Sequence, residues 1–450
     1  MLPRFLPGID IDDIIIVLED RFDNDEQLDK LSSIFGGRKF YLVSSGRSAI
    51  YLALKGLGVS RGDEVIVPAL TCPAVIDAVI ALGATPVVVP IERERFGLDP
   101  SVLNKAINRK TKVILPTDIY GARCRMEEIA QITNGRAVII EDSAQSSPYD
   151  ISSWSDNYAS AIVISLNYDK HITVGGGGIL VLNKPNIFKI PTIKSENNSE
   201  RSDILSAGLL RILMERSIYD RFLPMTAGSE MIENALIEEN DVLRILHNYV
   251  DNNKSFDGIK EILTNLTDKY LEKTSQSDIV KFLKKGLWHL IRPVFSKRPE
   301  PIGKIRMLGK LKKILVNISL KRFHNDAIIR KMFALKLYKG FSTLKGIYIQ
   351  NFKDDALLRF TVSFIDRSKA ILAMKRLTKV GIEVGPFNYP MPIHKIHTYR
   401  KYIRIIGDMR QTEILVDGIV NIPVHEQVSD DDIDKISEII RGVVSGRERE

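Results

Sequence analysis

The sequence has few of the features that mark secreted or membrane-spanning proteins. Its 450 residues include two cysteines, Cys72 and Cys124, which cannot form a disulfide framework and point to a reducing, cytoplasmic setting. No run of about 18 uninterrupted apolar residues occurs, so no transmembrane helix is expected. The beginning of the chain turns acidic where a signal peptide needs a basic head, and no secretion signal is expected. With 44% hydrophobic residues, the chain has enough apolar surface for a core, which excludes general disorder.

Positive charge is in excess, but the excess is local. The net charge is +8, and residues 281–330 hold 14 Lys and Arg against Glu300 and Asp326. The rest of the chain is therefore slightly acidic. A basic segment of this kind could contact nucleic acid, an anionic membrane surface or a phosphorylated small molecule, or form only a solvated helix face. No helix-turn-helix is evident, so no nucleic-acid partner is expected.

Between Phe40 and Leu182, strand-like apolar runs alternate with helical patterns. The strand-like runs are rich in Val and Ile and lack polar alternation, as expected when helices cover both faces of a sheet. The pattern predicts strands at 39–43, 64–67, 85–90, 112–115, 137–140, 161–165 and 178–182, and helices at 48–57, 74–81 and 126–133. This order predicts an α/β unit with a mostly parallel or mixed sheet.

The pattern changes after about residue 187. Residues 187–302 read as helical, and the amphipathic stretch Leu209–Pro224 could lie on a membrane surface or pack on its own domain. A long basic helix follows, then strands at 358–362 and 418–422 and helices at 368–379 and 430–444, the last with Ser429 as its N-cap. We predict three parts: a large domain at 1–186, a helical insertion at 187–302, and a smaller α/β C-terminal domain at 303–450.

Two segments place ligand-binding groups at the ends of predicted strands. In SSGRSAIYLAL, a strand ends at a glycine and a helix begins, so the N–H groups of Gly46, Arg47 and Ser48 form an anion seat or an ordinary turn. In IIEDSAQ, two carboxylates follow a strand, at the edge where ligands of open α/β sheets bind. We expect Glu141 to have a structural role, whereas Asp142 and Gln145 offer an acceptor and an amide to one ligand.

Two further segments add reactive side chains. SLNYDKHITVGGGG contains Ser165, then Lys170 five residues later, then four glycines, although a lysine beside such a loop is ordinarily a surface charge. VPALTCPAV places Cys72 at the end of another predicted strand. His394 and His397 have the spacing of a metal pair, but no third ligand lies nearby in the sequence, so no metal is predicted.

In order and spacing, these segments resemble the DegT/DnrJ/EryC1/StrS family of pyridoxal-phosphate-dependent sugar aminotransferases. The resemblance covers about 37–182 and 303–443, and it also rests on the blocks DIYGARCRMEEI, VGPFNYPMPIH and NIPVHEQVSDDDIDKISEII. It implies the fold-type-I aminotransferase fold, with a mixed-sheet large domain that binds pyridoxal 5'-phosphate and a smaller C-terminal domain. It also implies a homodimer whose site is shared between subunits. The resemblance does not extend to the helical insertion.

The resemblance assigns roles residue by residue. Lys170 matches the Schiff-base lysine, and Asp142 matches the carboxylate that pairs with the pyridine nitrogen. Gln145 matches the residue near the phenolic oxygen of the cofactor. The phosphate-site positions are matched by Gly46, Arg47 and Ser165.

Some matched positions depart from the family pattern. Arg47 stands where Thr or Ser is usual, Cys72 where an aromatic ring stacks on the cofactor, and Gly176 where an acid is common. The segment GKIRM puts Lys304 near the position that reaches the neighbouring subunit's phosphate. Tyr389 and His394 lie where the small domain of the family approaches the sugar.

The resemblance implies a transaminase that moves an amino group from glutamate or a similar donor to a keto nucleotide-sugar, in surface polysaccharide or modified-sugar biosynthesis. Two alternatives stay open. Related sugar dehydratases have His in place of the lysine, and Lys170 argues against that reading although His171 follows it. A non-catalytic regulatory or binding protein on the same scaffold is favoured by the departures and opposed by intact Lys170, Asp142 and Gln145. Weak contact of the insertion with a membrane surface is a further expectation.

Overall fold

The computed structural model describes residues 2–3, 5–19, 34–147, 158–194, 200–213, 302, 305–352, 355–385 and 391–446. The strands in this part of the chain are β1 Lys39–Val43, β2 Glu64–Pro68, β3 Thr85–Val89, β4 Thr111–Ile114, β5 Val138–Asp142, β6 Ala161–Ser165, β7 Gly178–Leu182, β8 Ile347–Ile349, β9 Phe360–Phe364, β10 Arg404–Ile405 and β11 Ile419–Ile422. The α-helices are α1 Ile11–Leu18, α2 Gly46–Gly56, α3 Pro73–Ala81, α4 Leu103–Ala106, α5 Met126–Thr133, α6 Glu200–Leu213, α7 Lys310–Phe341, α8 Arg367–Lys379, α9 Arg410–Asp417 and α10 Asp430–Ser445.

The described residues form a large mixed sheet with the strand order β1-β7-β6-β5-β4-β2-β3-β10. Strand β7 is antiparallel to both β1 and β6. The other neighbouring strands pair in parallel, in the spatial order β6, β5, β4, β2, β3 and β10. Successive residues of β2 pack in hydrophobic cores on opposite faces of the sheet. Ile66 packs on one face, and Val65 and Val67 pack on the other. The α/β class with a mixed sheet, predicted from the strand composition, is confirmed.

The predicted strands and helices between residues 39 and 182 are confirmed, with shifts at their ends. Helix α2 begins at Gly46 rather than Ser48, because the Ser45 hydroxyl accepts a hydrogen bond from the N–H of Ser48 and caps the helix. Strand β5 extends beyond the predicted Ile140 to Asp142. Its two carboxylates therefore lie on neighbouring strand residues and point to opposite faces of the sheet.

A second sheet, with strand order β11-β9-β8, is antiparallel throughout. Helices α8 and α10 pack together beside it, and α10 begins with the predicted Ser429 cap, which forms a reciprocal capping box with Asp432. The short strands β8 and β10 were not predicted, because two- or three-residue strands carry little periodic signal, and the eight-residue helix α9 was not predicted either.

Several contacts cross the predicted domain boundaries. Strand β10 pairs with β3, so the C-terminal third of the chain returns to the large sheet. At the other end, Leu2 pairs with Ile382 beside the small sheet. The division at residues 186 and 302 therefore stays a prediction.

Most of the predicted insertion, 187–302, lies outside the described residues. Its described portion includes α6, which packs against α7 and is joined to it by an ion pair between Asp203 and Lys312. Only the start of the amphipathic stretch Leu209–Pro224 falls within α6, and the rest is not described. Among the described helices, none has both the length and the apolar character to cross a bilayer.

Acid sensitivity is expected from the buried His425. Burial lowers the pKa of its imidazole to about 3, although its hydrogen bond to the carbonyl of Pro3 acts the other way. Since an unfolded histidine titrates near 6.5, stability is retained above that pH and is lost as the pH falls from 6.5 toward 3. The loss at pH 5 is about 2 kcal/mol.

Replacing this histidine should therefore make the protein less sensitive to acid. Urea unfolding midpoints of His425→Gln and the wild type, compared at pH 7 and pH 5, should show a smaller decrease in the variant. The exposed His397→Gln is the matched control and should behave as the wild type. An equal decrease for His425→Gln and the wild type would exclude His425 as the source of acid sensitivity.

Candidate active site

The carboxyl ends of the parallel strands bring three polar side chains into contact. Thr71 follows β2, Thr117 follows β4, and Asp142 ends β5. The hydroxyl oxygens of Thr71 and Thr117 are 2.7 Å apart, and Thr117 donates to Oδ2 of Asp142 at 3.4 Å. Parallel strands meet at one edge, so residues distant in sequence form a connected polar chain there.

Asp142 is the ionisable end of this chain and is only 2% exposed. Burial raises its pKa to about 6, while the N–H of Ala144, the Lys170 cation and the Thr117 hydroxyl act in the opposite direction. When such a buried carboxylate is ionised, it binds strongly to a nearby cationic N–H group, because little water competes for it. Asp142 is therefore suited to pair with a protonated ring nitrogen.

Lys170 approaches the same edge from the loop after β6 and is 8% exposed. Burial raises the pKa of the Cys72 thiol; the Lys170 and Arg47 cations lower it and the Asp142 carboxylate raises it. The charges of Lys170, Arg47 and Asp142 thus all act on the Cys72 thiol. The structure brings together the predicted lysine, carboxylate and cysteine.

The predicted anion-binding position lies at the start of α2. At this N-terminus the helix dipole favours negative charge, but the N–H of Ser48, predicted as part of the anion seat, donates instead to the Ser45 hydroxyl at 3.0 Å. A Cβ atom at Gly46 would lie 3.2 Å from Cβ and 3.3 Å from Oγ of Ser165, so the Ser165 hydroxyl borders the helix start. Gly46 and Ser165, predicted as phosphate-site residues, are therefore neighbours.

Arg47, which differs from the family pattern at this helix start, contacts a buried carboxylate on α3. Its Nη2 lies 3.9 Å from Oδ2 of the buried Asp77, and Tyr399 donates a hydrogen bond of 3.0 Å to Oδ1 of the same carboxylate. The Arg47 side chain remains 29% exposed. It can therefore contribute charge to an anion beside the helix N-terminus.

The segment after Gly303 lies against the same position. The N–H of Ser44 donates to the carbonyl of Arg306 at 2.9 Å, and Met307 pairs with Val43 at the end of β1. Lys304, two residues earlier, lies outside the described residues, as does Tyr389. The contacts predicted for these two residues stay predictions.

The other predicted residues have defined partners. Oε1 of the buried Gln145 accepts a hydrogen bond from the N–H of Tyr120 at 3.1 Å. Glu141 accepts two hydrogen bonds from Arg123, of 2.7 and 3.0 Å, in agreement with its structural interpretation. Nε2 of His394 lies 2.9 Å from Oε1 of Glu413, on a segment whose Ile393 N–H donates to the carbonyl of Ala69.

Sequence reasoning missed several residues of the site. Thr117 and Asp77 contact Asp142 and Arg47 from elements that carry no motif of their own. Asp169, whose Oδ2 is 3.3 Å from Nζ of Lys170, had a signal that was available, because it directly precedes the lysine. Arg359 is brought to the site by tertiary packing alone, at 3.9 Å from the same carboxylate.

Comparison with known proteins agrees with this arrangement. The sequence pattern of the DegT/DnrJ/EryC1/StrS aminotransferase family matches residues 24–201 and 301–441, more than half of the chain. GDP-perosamine synthase of Escherichia coli O157:H7 is 37% identical over 149 residues, 32% of this chain and 41% of that protein. dTDP-3-amino-3,4,6-trideoxy-alpha-D-glucose transaminase of Streptomyces venezuelae is 43% identical over 104 residues, 23% of this chain and 27% of that protein.

The matched stretches thus cover less than half the length of these curated relatives. A solved structure, NtdA of Bacillus subtilis with the cofactor PMP bound, has the same fold: the TM-score is 0.63 at 19% identity, over 97% of this chain and 83% of that one. The family match spans both the large sheet with its site and the C-terminal sheet. The chain belongs to the DegT/DnrJ/EryC1/StrS aminotransferase family.

Proposed function

We propose that the protein is a pyridoxal-phosphate-dependent aminotransferase that moves an amino group from glutamate, or a similar donor, to a keto group of a nucleotide-linked sugar. The observation that carries the proposal is the convergence of Lys170, Asp142 and the α2 helix start at one sheet edge. The names of the two relatives, which refer to GDP- and dTDP-linked sugars, support the class of acceptor.

The side chains of the site fit pyridoxal phosphate. A Cβ atom at residue 46 would press on Ser165, and a glycine here lets a phosphate approach the backbone at the start of α2 closely. Asp142 supplies a buried acceptor for a cationic ring nitrogen, and Lys170 supplies an amine. When bound, this cofactor supplies an aldehyde that links to amines and a ring that accepts electrons.

The residues of the chain then have separate tasks. The helix start and the Ser165 hydroxyl bind the phosphate, and Arg47 adds charge. Asp142 keeps a proton on the ring nitrogen, while Thr117 orients its carboxylate. Lys170 is both the point of attachment and the group that moves a proton at the reacting carbon. Cys72 offers a small, polarisable contact to the ring.

The proposal includes the setting of the enzyme. We place it in the cytoplasm, as a homodimer whose site is shared between subunits, in the synthesis of a surface polysaccharide or modified sugar. Its two cysteines, both free thiols, suit a reducing compartment. The segment from Arg306 onward, which borders the α2 helix start, suits a shared site because Lys304 lies two residues before Arg306 in the sequence.

The visible absorption spectrum of the purified protein with pyridoxal phosphate tests the proposal. Covalent attachment to a lysine should give a long-wavelength band, and glutamate should bleach it because the amino group passes to the cofactor. A nucleotide-linked keto sugar should then restore the band. A protein that takes up no cofactor, or holds it without responding to any amino donor, would instead be a regulatory or binding protein on this scaffold.

A further inference from the structure

The charged side chains of Lys170, Asp169 and Arg359 lie in a row, with Asp169 between the two cations. Nζ of Lys170 lies 3.3 Å from Oδ2 of Asp169, and Nη2 of Arg359 lies 3.9 Å from the same oxygen. The Lys170 and Arg359 side chains are 10% and 3% exposed. One carboxylate oxygen thus faces two buried cations.

The charge state of Asp169 follows from these neighbours. Burial alone would raise its pKa, but the Lys170 and Arg359 cations hold the pKa of Asp169 below its ordinary value. The carboxylate is therefore ionised at neutral pH. An anion at this distance favours a positive charge on the Lys170 nitrogen over a neutral one.

Arg359 is fixed by the C-terminal part of the chain. It directly precedes β9 of the small sheet, and its N–H donates to the carbonyl of Tyr120 in the large domain. Its guanidinium lies over the ring of Phe5, 5.9 Å from the ring centroid. The Asp169 carboxylate is consequently held by a cation whose backbone and side chain are both anchored.

We propose that Asp169 is a positioning residue that orients Lys170 and stabilises positive charge on its nitrogen, with Arg359 holding the carboxylate in place. The inference rests on the proposed function, since the nitrogen concerned is the one that attaches the cofactor. Removing the Asp169 charge should make that nitrogen lose its proton at lower pH.

Other titratable groups also lie near this nitrogen, and burial keeps the Cys72 thiol and the His171 imidazole neutral at pH 7. Asp142 faces Lys170 from β5, Cys72 faces it from the start of α3, and His171 is its neighbour in the chain. Arg47 acts on the same Cys72 from α2. All of them are retained in the test variants, so a difference between variants reports Asp169.

The test is a pH titration of the absorption spectrum of the cofactor-loaded protein, in which protonation of the linking nitrogen changes the band. In Asp169→Asn, the pH at the spectral midpoint should fall by about one to three units. Asp169→Glu should restore a midpoint near that of the wild type, which a merely structural residue would not do. Asp169→Ser also removes the charge and has a smaller side chain. It should give the same decrease if the Asn variant does not fold.

Asp118→Asn is the matched control. Asp118 is fully buried, whereas the Asp169 side chain is 20% exposed, and the Asp118 carboxylate accepts hydrogen bonds from Ser143, Ser146 and the N–H of Cys124. The control should leave the spectral midpoint unchanged. If the wild type attaches cofactor at Lys170 but Asp169→Asn and Asp169→Ser titrate as it does, the inference about Asp169 is overturned and the proposed function stands. If the wild type attaches no cofactor, both are overturned.

Discussion

Lys170→Ala should lower the rate of amino transfer from glutamate by about 10⁴-fold or more, because proton transfer by a positioned side chain alone contributes about 10²–10⁴-fold. The alanine variant also loses the point of attachment, so added pyridoxal phosphate should give no lysine-linked band. The measurement is the formation of 2-oxoglutarate, with the spectrum recorded on the same sample. Loss of both signals would identify this one amine with both tasks.

Two further substitutions separate the chemistry of the amine from its charge. Lys170→Arg keeps a cation beside Asp169 but cannot attach the cofactor, and it should be as inactive as the alanine variant. Lys184→Ala removes an exposed lysine just after β7 and should leave the rate unchanged. A Lys170→Ala protein that kept even one per cent of the wild-type rate would show that another group carries the proton.

The second large effect is expected at Asp142. Asp142→Asn keeps the shape of the side chain but removes its charge, so a proton is no longer held on the ring nitrogen. We expect the spectral response to glutamate to slow by about 10²–10³-fold, the usual result of removing one aligned electrostatic partner. The cofactor should still attach, since Lys170 and the α2 helix start are intact. Stopped-flow absorbance after mixing with glutamate measures this rate.

Variants of two residues near Asp142 test whether the slower response to glutamate is specific to the Asp142 charge. Thr117→Val removes one hydrogen bond of 3.4 Å to the carboxylate and should slow the same step by less than about 10-fold. Asp118→Asn changes a neighbouring buried carboxylate and should keep the wild-type rate. If Asp142→Asn reacted within a few-fold of the wild type, the assignment of this carboxylate to the ring nitrogen would be wrong.

The large sheet was predictable because its signals are local. Each of its strands from β1 to β7 contains a run of apolar residues, and the predicted helices between them span two or more turns. The position of Asp142 followed from the same logic, since a carboxylate at the end of a buried parallel strand must lie at the ligand-binding edge. Strand β10, with two residues, gave no such signal.

The assignment of roles within the site needed more than local patterns. Lys170, Ser165 and Gln145 were singled out by the order of motifs, whose separate signals are weak. Other contacts around the site join distant parts of the chain: Arg359, which contacts Asp169, lies 189 residues beyond Lys170, and Tyr399 reaches Asp77 across 322 residues. Contacts of this kind depend on how the two sheets pack, and no spacing rule in a single sequence encodes them.

The pairing of β10 with β3 has a consequence for synthesis on the ribosome. Until residues 404 and 405 emerge, the edge of β3 has no partner there, and an unpaired, Val-rich edge is a template for pairing with other chains. The segment that covers it is made more than 300 residues after β3. A nascent chain that stalls after the other strands of the large sheet have formed would therefore be prone to aggregation, and the protein reaches a protected state only when β10 has docked on β3.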